Sequence, residues 1–218
     1  MSSPKIHLYL SPGACSVAPH ILLHESGLDY TTTSYTKEDV FENGGFPDEL
    51  KKLNPKAKIP VATFDDEVIT ENPAILTFIS QLAPSNQFFG NTPLETVRVY
   101  EWLNYLSGTL HSAAYGMFYR PQRFIDVEDG SLAKHVLVKA RTTIQDIYSF
   151  IDEKLKGRTW AVGEEFTAAD AYLYVFFRWG AESMQLDMEK EYPNYARNSK
   201  AVEERPSTQA VLKAEGLN

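Results

Sequence analysis

Before residue 83 the apolar residues switch repeatedly between a two-residue and a helical period, whereas beyond residue 93 only the helical period remains. "IHLYL" alternates, with Ile6, Leu8 and Leu10 on one face, and predicts a strand. Residues 16–26 place Val17, Ala18, Ile21 and Leu22 at helical spacing, and Gly27 ends the run as a C-terminal glycine does. "DYTTTSY" is β-branched and aromatic, which predicts a second strand. A weaker helical stretch covers 46–53. "IPVATF" and "EVIT", joined by the turn "DDE", form a predicted hairpin. "NPAILTFISQLA" carries Ile75, Phe78, Ile79 and Leu82 at i, i+3, i+4 and i+7, with its proline tolerated in the first helical turn.

The order is therefore β-α-β-(α)-β-β-α, a βαβ unit followed by a ββα unit, which is thioredoxin-like. "APSNQFFGNTP" breaks the rhythm with prolines, glycine and asparagine and is the expected linker. Beyond it, Val99, Leu103, Leu106 and Leu110 form one helical stripe, and Val136, Ala140, Ile144, Ile147 and Ile151 mark a long helix over 131–155. "FTAADAYLYVFFRWG" is apolar almost all round, as a helix in the middle of a bundle would be. Thr167 is its expected N-cap, with Asp170 three residues on. Two shorter helices are predicted near 193–204 and 206–215. The expected fold is α/β plus all-α: a thioredoxin-like domain over 1–83, a linker over 84–93 and a helical bundle over 94–218.

Composition narrows the function. The chain has 218 residues, 43% of them hydrophobic, enough to bury a large core. A net charge of −8, spread along the chain, argues against a nucleic-acid partner and against an anionic membrane surface. "MSSPKIHLYL" has no signal-peptide core, and no window reaches the apolar length of a membrane span, so a cytoplasmic protein is expected. The single cysteine, Cys15, cannot form an intrachain disulfide, which fits a reducing compartment.

Cys15 falls at the expected first turn of the first helix, where the helix dipole favours a thiolate. Helix ends supply about 0.3–1 kcal/mol, up to about 2, whereas lowering a thiol from about 8.5 to about 6.5 needs about 2.7 kcal/mol. Another donor is required, and on residue type alone a packed cysteine is the commoner case. A dithiol would need a second cysteine at 18, where Ala18 stands. Ile59-Pro60 opens the third strand; a cis bond there would turn the backbone of Ile59 toward an extended peptide, and a trans strand-starting proline is the alternative. Glu71 and Asn72 begin the next helix and together suit an amino-acid head group, although Asn72 could equally be an N-cap. At about 100° per residue, Asn104, Gly108, His111 and Tyr115 share a face opposite the leucine stripe.

Taken in order, "SPGACSVAPHILLHESGLDY", "NPKAKIPV", "DDEVITENPAI", "EWLNYLSGTLH", "FYRP", "WAVGEEFTAADAYLYVFFRW" and "ERPSTQAVLKAEGL" resemble a glutathione transferase of the beta class over nearly the whole chain. The resemblance implies a twofold homodimer with glutathione as co-substrate and no metal. It implies that the glutathione cysteinyl backbone pairs with Ile59 beside a cis Pro60. The γ-glutamyl group would be held by Glu71 and Asn72, and by Asn104, which in this class can come from the other subunit. Cys15 and His111 would lie near the glutathione sulfur, with Ser16 a further donor. Lys37 is the candidate for the glycine carboxylate, and Tyr9, Tyr115, Phe118 and Trp179 for the apolar substrate pocket. Three features depart from the class: Asn72 replaces a smaller residue, Gly108 stands where relatives carry a hydroxyl toward glutathione, and "TKEDVFENGG" aligns no lysine cleanly with the family's glycine-carboxylate contact.

The expected activity is detoxifying conjugation of the glutathione thiol to small hydrophobic electrophiles, with thiol transfer or peroxide reduction through Cys15 as a second activity. The alternatives are a non-catalytic glutathione- or ligand-binding module of the same fold, and a glutathione-dependent dehalogenase or ether-cleaving enzyme.

Overall fold

A computed structural model describes residues 4–36, 38, 40, 45–125 and 130–217. The candidate Lys37 lies outside the described residues. Strand β1 (Ile6–Leu10) is central: it runs parallel to β2 (Tyr30–Ser34) and antiparallel to β3 (Val61–Phe64), which forms a hairpin with β4 (Glu67–Thr70). The sheet order is β2-β1-β3-β4. Alternation along β1 buries Ile6, Leu8 and Leu10 on one face and turns His7 and Tyr9 to the other, as a two-residue period requires. Helix α1 (Val17–Ser26) follows β1, α2 (Asp48–Leu53) precedes β3, and α3 (Asn72–Leu82) follows β4. Gly27 closes α1 at φ +69°, a conformation that costs glycine little.

The remainder among the described residues is helical: α4 (Pro93–Asn104), α5 (Gly116–Tyr119), α6 (Gly130–Lys154), α7 (Ala168–Glu182), α8 (Met188–Glu191), α9 (Pro193–Glu203) and α10 (Pro206–Ala214). Helix α1 packs against α3 on one side and against α7 and α10 on another. Being enclosed in this way explains why α1 and α7 are apolar around most of their circumference. The linker is also pinned: Phe88 and Phe89 are buried, and the Phe88 carbonyl accepts the Ala168 N–H at 2.9 Å, just where α7 begins.

The cap of α7 is a larger network than its sequence signature. The buried Asp170 carboxylate accepts from the Thr167 N–H at 2.8 Å and the Thr167 hydroxyl at 2.9 Å. It also accepts from the Ala161 N–H at 2.8 Å and the Asn198 amide at 2.7 Å, so one side chain joins α7 to the preceding loop and to α9.

One helix departs from the sequence reading. Between α4 and α5, residues Tyr105–Tyr115 are wound as a π-helix, and the Gly116 N–H reaches back to the His111 carbonyl, five residues away. Wider winding advances each residue by less than the α-helical 100°. Val99, Leu103, Leu106 and Leu110 remain buried, but Tyr115 rotates away from the Asn104 face and into the core, where it is fully buried. Its hydroxyl lies 2.5 Å from that of Tyr148, which in turn donates to the Phe176 carbonyl at 2.5 Å.

Candidate active site

The turn between β1 and α1 is built by its own hydrogen bonds. The Ala14 N–H donates to the Ser11 carbonyl at 3.0 Å. The buried Ser16 hydroxyl donates to the same carbonyl at 3.1 Å and accepts the Ser11 N–H at 3.2 Å. Ser16 therefore locks the turn, and its hydroxyl is committed there rather than free as a donor to a ligand. Cys15 stands two residues ahead of α1, not in its first turn, because Ser16 is the N-cap.

Three segments meet at Cys15. Its Sγ lies 3.7 Å from the Ile59 carbonyl, and its own carbonyl accepts the Asn72 amide at 3.0 Å. The Ile59-Pro60 bond is cis, and Pro60 is buried just ahead of β3. Asn72 is the first residue of α3, not its cap; Glu71 holds that position, and no side chain caps the helix. The Asn72 amide is consequently a tie between α3 and the Cys15 turn, and its Oδ1 is buried without a protein partner. Glu71 has φ +73° and ψ 125°, a conformation costing of order 1–3 kcal/mol that is typical of sites where structure is held for a purpose. Its exposed carboxylate pairs with Lys56, which also donates to the Thr70 hydroxyl at 2.8 Å. Such an exposed pair is worth little and exchanges readily.

His111 sits half-buried in the π-wound segment, its Nδ1 3.3 Å from the Tyr172 hydroxyl. Its ring packs against Phe176 and Trp179, with centroids 5.7 and 5.4 Å away. Burial, assisted by Lys58 and opposed by Glu71, pushes the imidazole down to about 4. It is therefore neutral at physiological pH and a hydrogen-bonding group rather than a cation. Burial also pushes the Cys15 thiol up to about 12, against the lowering effect of Asn72. The shortfall of the helix terminus is not made good: desolvation outweighs every nearby donor, and Cys15 is a protonated, buried thiol at neutral pH, the packed cysteine that its residue type favours. Lys58 and Glu71 act on both Cys15 and His111, and Tyr172 feels Cys15, Asn72, Ser107 and Glu71, so these groups share one cleft.

The cleft thus gathers Cys15, Ile59, Pro60, Glu71, Asn72 and His111, with Trp179 beside the histidine. Other sequence candidates stand elsewhere. Tyr9 lies on the opposite face of the sheet, its ring 4.5 Å from that of His7, because strand alternation turns it away from Leu8 and Leu10. Tyr115 belongs to the core, for the reason of π winding given above. Phe118 is half-buried between Tyr115 and Tyr119, with the Arg141 guanidinium 5.8 Å from its ring. Asn104 is exposed and donates to the Tyr100 carbonyl of its own helix at 2.9 Å. Gly108 is exposed, and a Cβ there would meet nothing within 4 Å.

Sequence reasoning missed Tyr172 and the lysines of "NPKAKIPV". Tyr172 was hidden within an all-apolar helix, and its hydroxyl was the one available signal. Lys56 and Lys58 stand just ahead of a proline strand start, a pattern that by itself marks only a solvated loop. Among the described residues, no group of three or more His, Cys, Asp or Glu is placed to hold a metal ion, and no helix is long and apolar enough to cross a membrane.

A thioredoxin-like sheet unit, a helical bundle and a cis-proline cleft carrying a cysteine define a class, and comparison with known proteins agrees. Residues 13–82 match the family described as glutathione S-transferase, N-terminal domain, and residues 111–206 the one described as glutathione S-transferase, C-terminal domain. The chain belongs to the glutathione S-transferase family. Within it, the chain is of the bacterial beta-class type. It is 34% identical to glutathione S-transferase GstA of Escherichia coli O157:H7, over 96% of this chain and 98% of that one. A bacterial beta-class glutathione S-transferase of Sphingomonas chungbukensis superposes with a TM-score of 0.80 at 33% identity, covering 97% of this chain and 100% of that one. A sphingomonad glutathione S-transferase solved in complex with glutathione gives 0.80 at 32% identity, with the same coverages.

Proposed function

We propose that this protein conjugates the thiol of glutathione to small hydrophobic electrophiles, with residues 1–83 holding the tripeptide, 84–93 as the link and 94–218 supplying the electrophile side. The observation that carries the reading is the meeting of Cys15 Sγ with the Ile59 carbonyl, 3.7 Å apart, beside the start of α3. That corner offers a strand edge for a peptide backbone, a helix N-terminus for a carboxylate, and a thiol between them. Glutathione would pair through its cysteinyl backbone with Ile59. Its γ-glutamyl carboxylate would face the N–H groups at the start of α3, and its ammonium would take Glu71 from Lys56.

The ionisation states divide the labour. Cys15 keeps its proton at neutral pH, so its S–H is a donor to the glutathione sulfur rather than a rival nucleophile. Neutral His111 adds a second hydrogen bond without serving as a fixed cation. Acceleration then comes from proximity and from stabilising the ionised glutathione thiol, and the electrophile sits beside Trp179. A mixed disulfide on Cys15 would require a thiolate that this environment opposes, which ranks thiol transfer behind conjugation.

The decisive assay is glutathione-dependent turnover of an activated aryl halide, run beside retention on immobilised glutathione. Turnover together with retention is expected; retention without turnover of any electrophile or disulfide would make the chain a binding module. The reading includes a homodimer in which Asn104 of one subunit reaches glutathione in the other. It is supported by the apolar side chains of Leu94 and Phe150, which are 66% and 46% exposed and line a groove of about 630 Å³. A sedimentation mass of one chain would remove that task from Asn104.

A further inference from the structure

The turn that carries Cys15 is held in shape by Ser11, Ala14 and Ser16, but its placement depends on residues far away in sequence. Glu215, just beyond α10, accepts the Gly13 N–H on Oε2 at 3.0 Å, across 202 positions of chain. Its Oε1 accepts from His20 Nδ1 of α1 at 2.7 Å. The carboxylate side chain is only 1% exposed, a location tolerable because both oxygens are bonded. On the other side of the same residue, the Gly13 carbonyl accepts the Trp179 indole N–H at 2.8 Å. Gly13 itself has φ +69°, and a Cβ there would lie 3.4 Å from Leu217 Cδ2. The Trp179 ring, in turn, packs on His111. One glycine is gripped at its N–H by the C-terminal segment and at its C=O by α7, and Cys15 follows two residues later.

We infer that Glu215 is a positioning residue: by holding Gly13 against α7 and α10 it sets where Cys15 stands relative to Ile59 and to His111. The inference rests on reading this cleft as the glutathione site. The bond to His20 alone would suffice to fasten α10 to α1. The second oxygen is instead spent on a backbone N–H of the cysteine turn, whose own fold is already closed by three internal bonds. The assignment therefore concerns where the turn sits, not whether it forms.

Glu215→Ala and Glu215→Gln separate positioning from stability. Glutamine can accept the Gly13 N–H on its oxygen and donate its NH₂ to His20 once that imidazole carries its proton on Nε2, so both bonds survive. Each variant is assayed well below its own melting temperature, for kcat and KM with glutathione and an aryl halide, and for iodoacetamide alkylation of Cys15 without glutathione. The alanine variant is expected to lose on the order of tenfold to a hundredfold in kcat/KM. Its Cys15 should alkylate on the order of tenfold faster as the turn slackens and the thiol meets water. The glutamine variant should stay within about twofold of the parent on both readouts. Unchanged alkylation in the alanine variant, or glutamine as damaging as alanine, overturns the assignment. If the alanine variant does not fold, Glu215→Asp, which keeps the charge but falls short of Gly13, takes its place with the same two criteria. Alkylation needs no turnover, so faster alkylation in a protein that neither conjugates nor retains glutathione would support the positioning role while refuting the glutathione reading.

Discussion

Cys15 of the folded protein is expected to react with iodoacetamide about a thousandfold more slowly than free cysteine at pH 7.5. The thiol is 6% exposed and is pushed up from the ordinary value of 9.0 to about 12, chiefly by desolvation. At pH 7.5 that difference leaves about three powers of ten less thiolate, before any steric shielding. The same shift gives stability a pH signature. A group whose folded value is raised contributes fully below its unfolded value, so the Cys15 contribution is present below about 9 and is lost as pH rises toward about 12. Cys15→Ala should abolish that alkaline loss. His111 has the opposite sign: its folded value is lowered to about 4, so its contribution is present above about 6.5 and fades as pH falls toward 4. Mass-spectrometric alkylation rates and denaturant midpoints across pH measure both. A Cys15 that alkylates as fast as free cysteine would refute the burial argument.

Asp170→Ala is expected to cost more than about 3 kcal/mol, because it strips the acceptor from several buried donors at once, at about 1–3 kcal/mol for each left unsatisfied. That is a large share of a typical stability of about 5–15 kcal/mol. An ordinary N-cap loss costs about 0.5–2 kcal/mol, so the experiment distinguishes a local cap from a hub. Equilibrium urea unfolding should show a lower midpoint, with the variant accumulating poorly at 37 °C. A loss under about 1 kcal/mol would mean that Asn198 and Ala161 find other acceptors, and that Asp170 serves α7 alone.

Much of this architecture is legible in the chain because it rests on short-range rules. The two-residue period of Ile6, Leu8 and Leu10, the helical stops at Gly27 and the turn at Asp65–Asp66 each carry their own signal, and each element forms where those signals stand. Thr167 and Asp170 announced a cap; that Asp170 also reaches Ala161 and Asn198 is a tertiary fact with no local trace. The site divides in the same way. Cys15, Ile59, Glu71, Asn72 and His111 were named from residue type and order, and the fold brings them to one cleft. The protonation states of Cys15 and His111 are not legible, since burial decides them and burial is set by the tertiary packing. Tyr9 and Tyr115 show two different failures. For Tyr9, the alternation that buries Leu8 and Leu10 turns its ring to the other face of the sheet, away from the pocket. For Tyr115 the assumed α-helical winding was wrong, and nothing in "YLSGTLHSAAY" announces a π-helix.

The central claim is that glutathione lies extended along Ile59, with its sulfur between Cys15 and His111. A crystal structure of the protein with glutathione tests it most directly. The expected result is a cysteinyl backbone paired with the Ile59 main chain, the γ-glutamyl ammonium on Glu71 with Lys56 displaced, and the sulfur within hydrogen-bonding reach of Cys15 Sγ or the His111 imidazole. Glutathione bound with its sulfur remote from both side chains, or seated in the groove lined by Trp102, Tyr105 and Phe150, would contradict it.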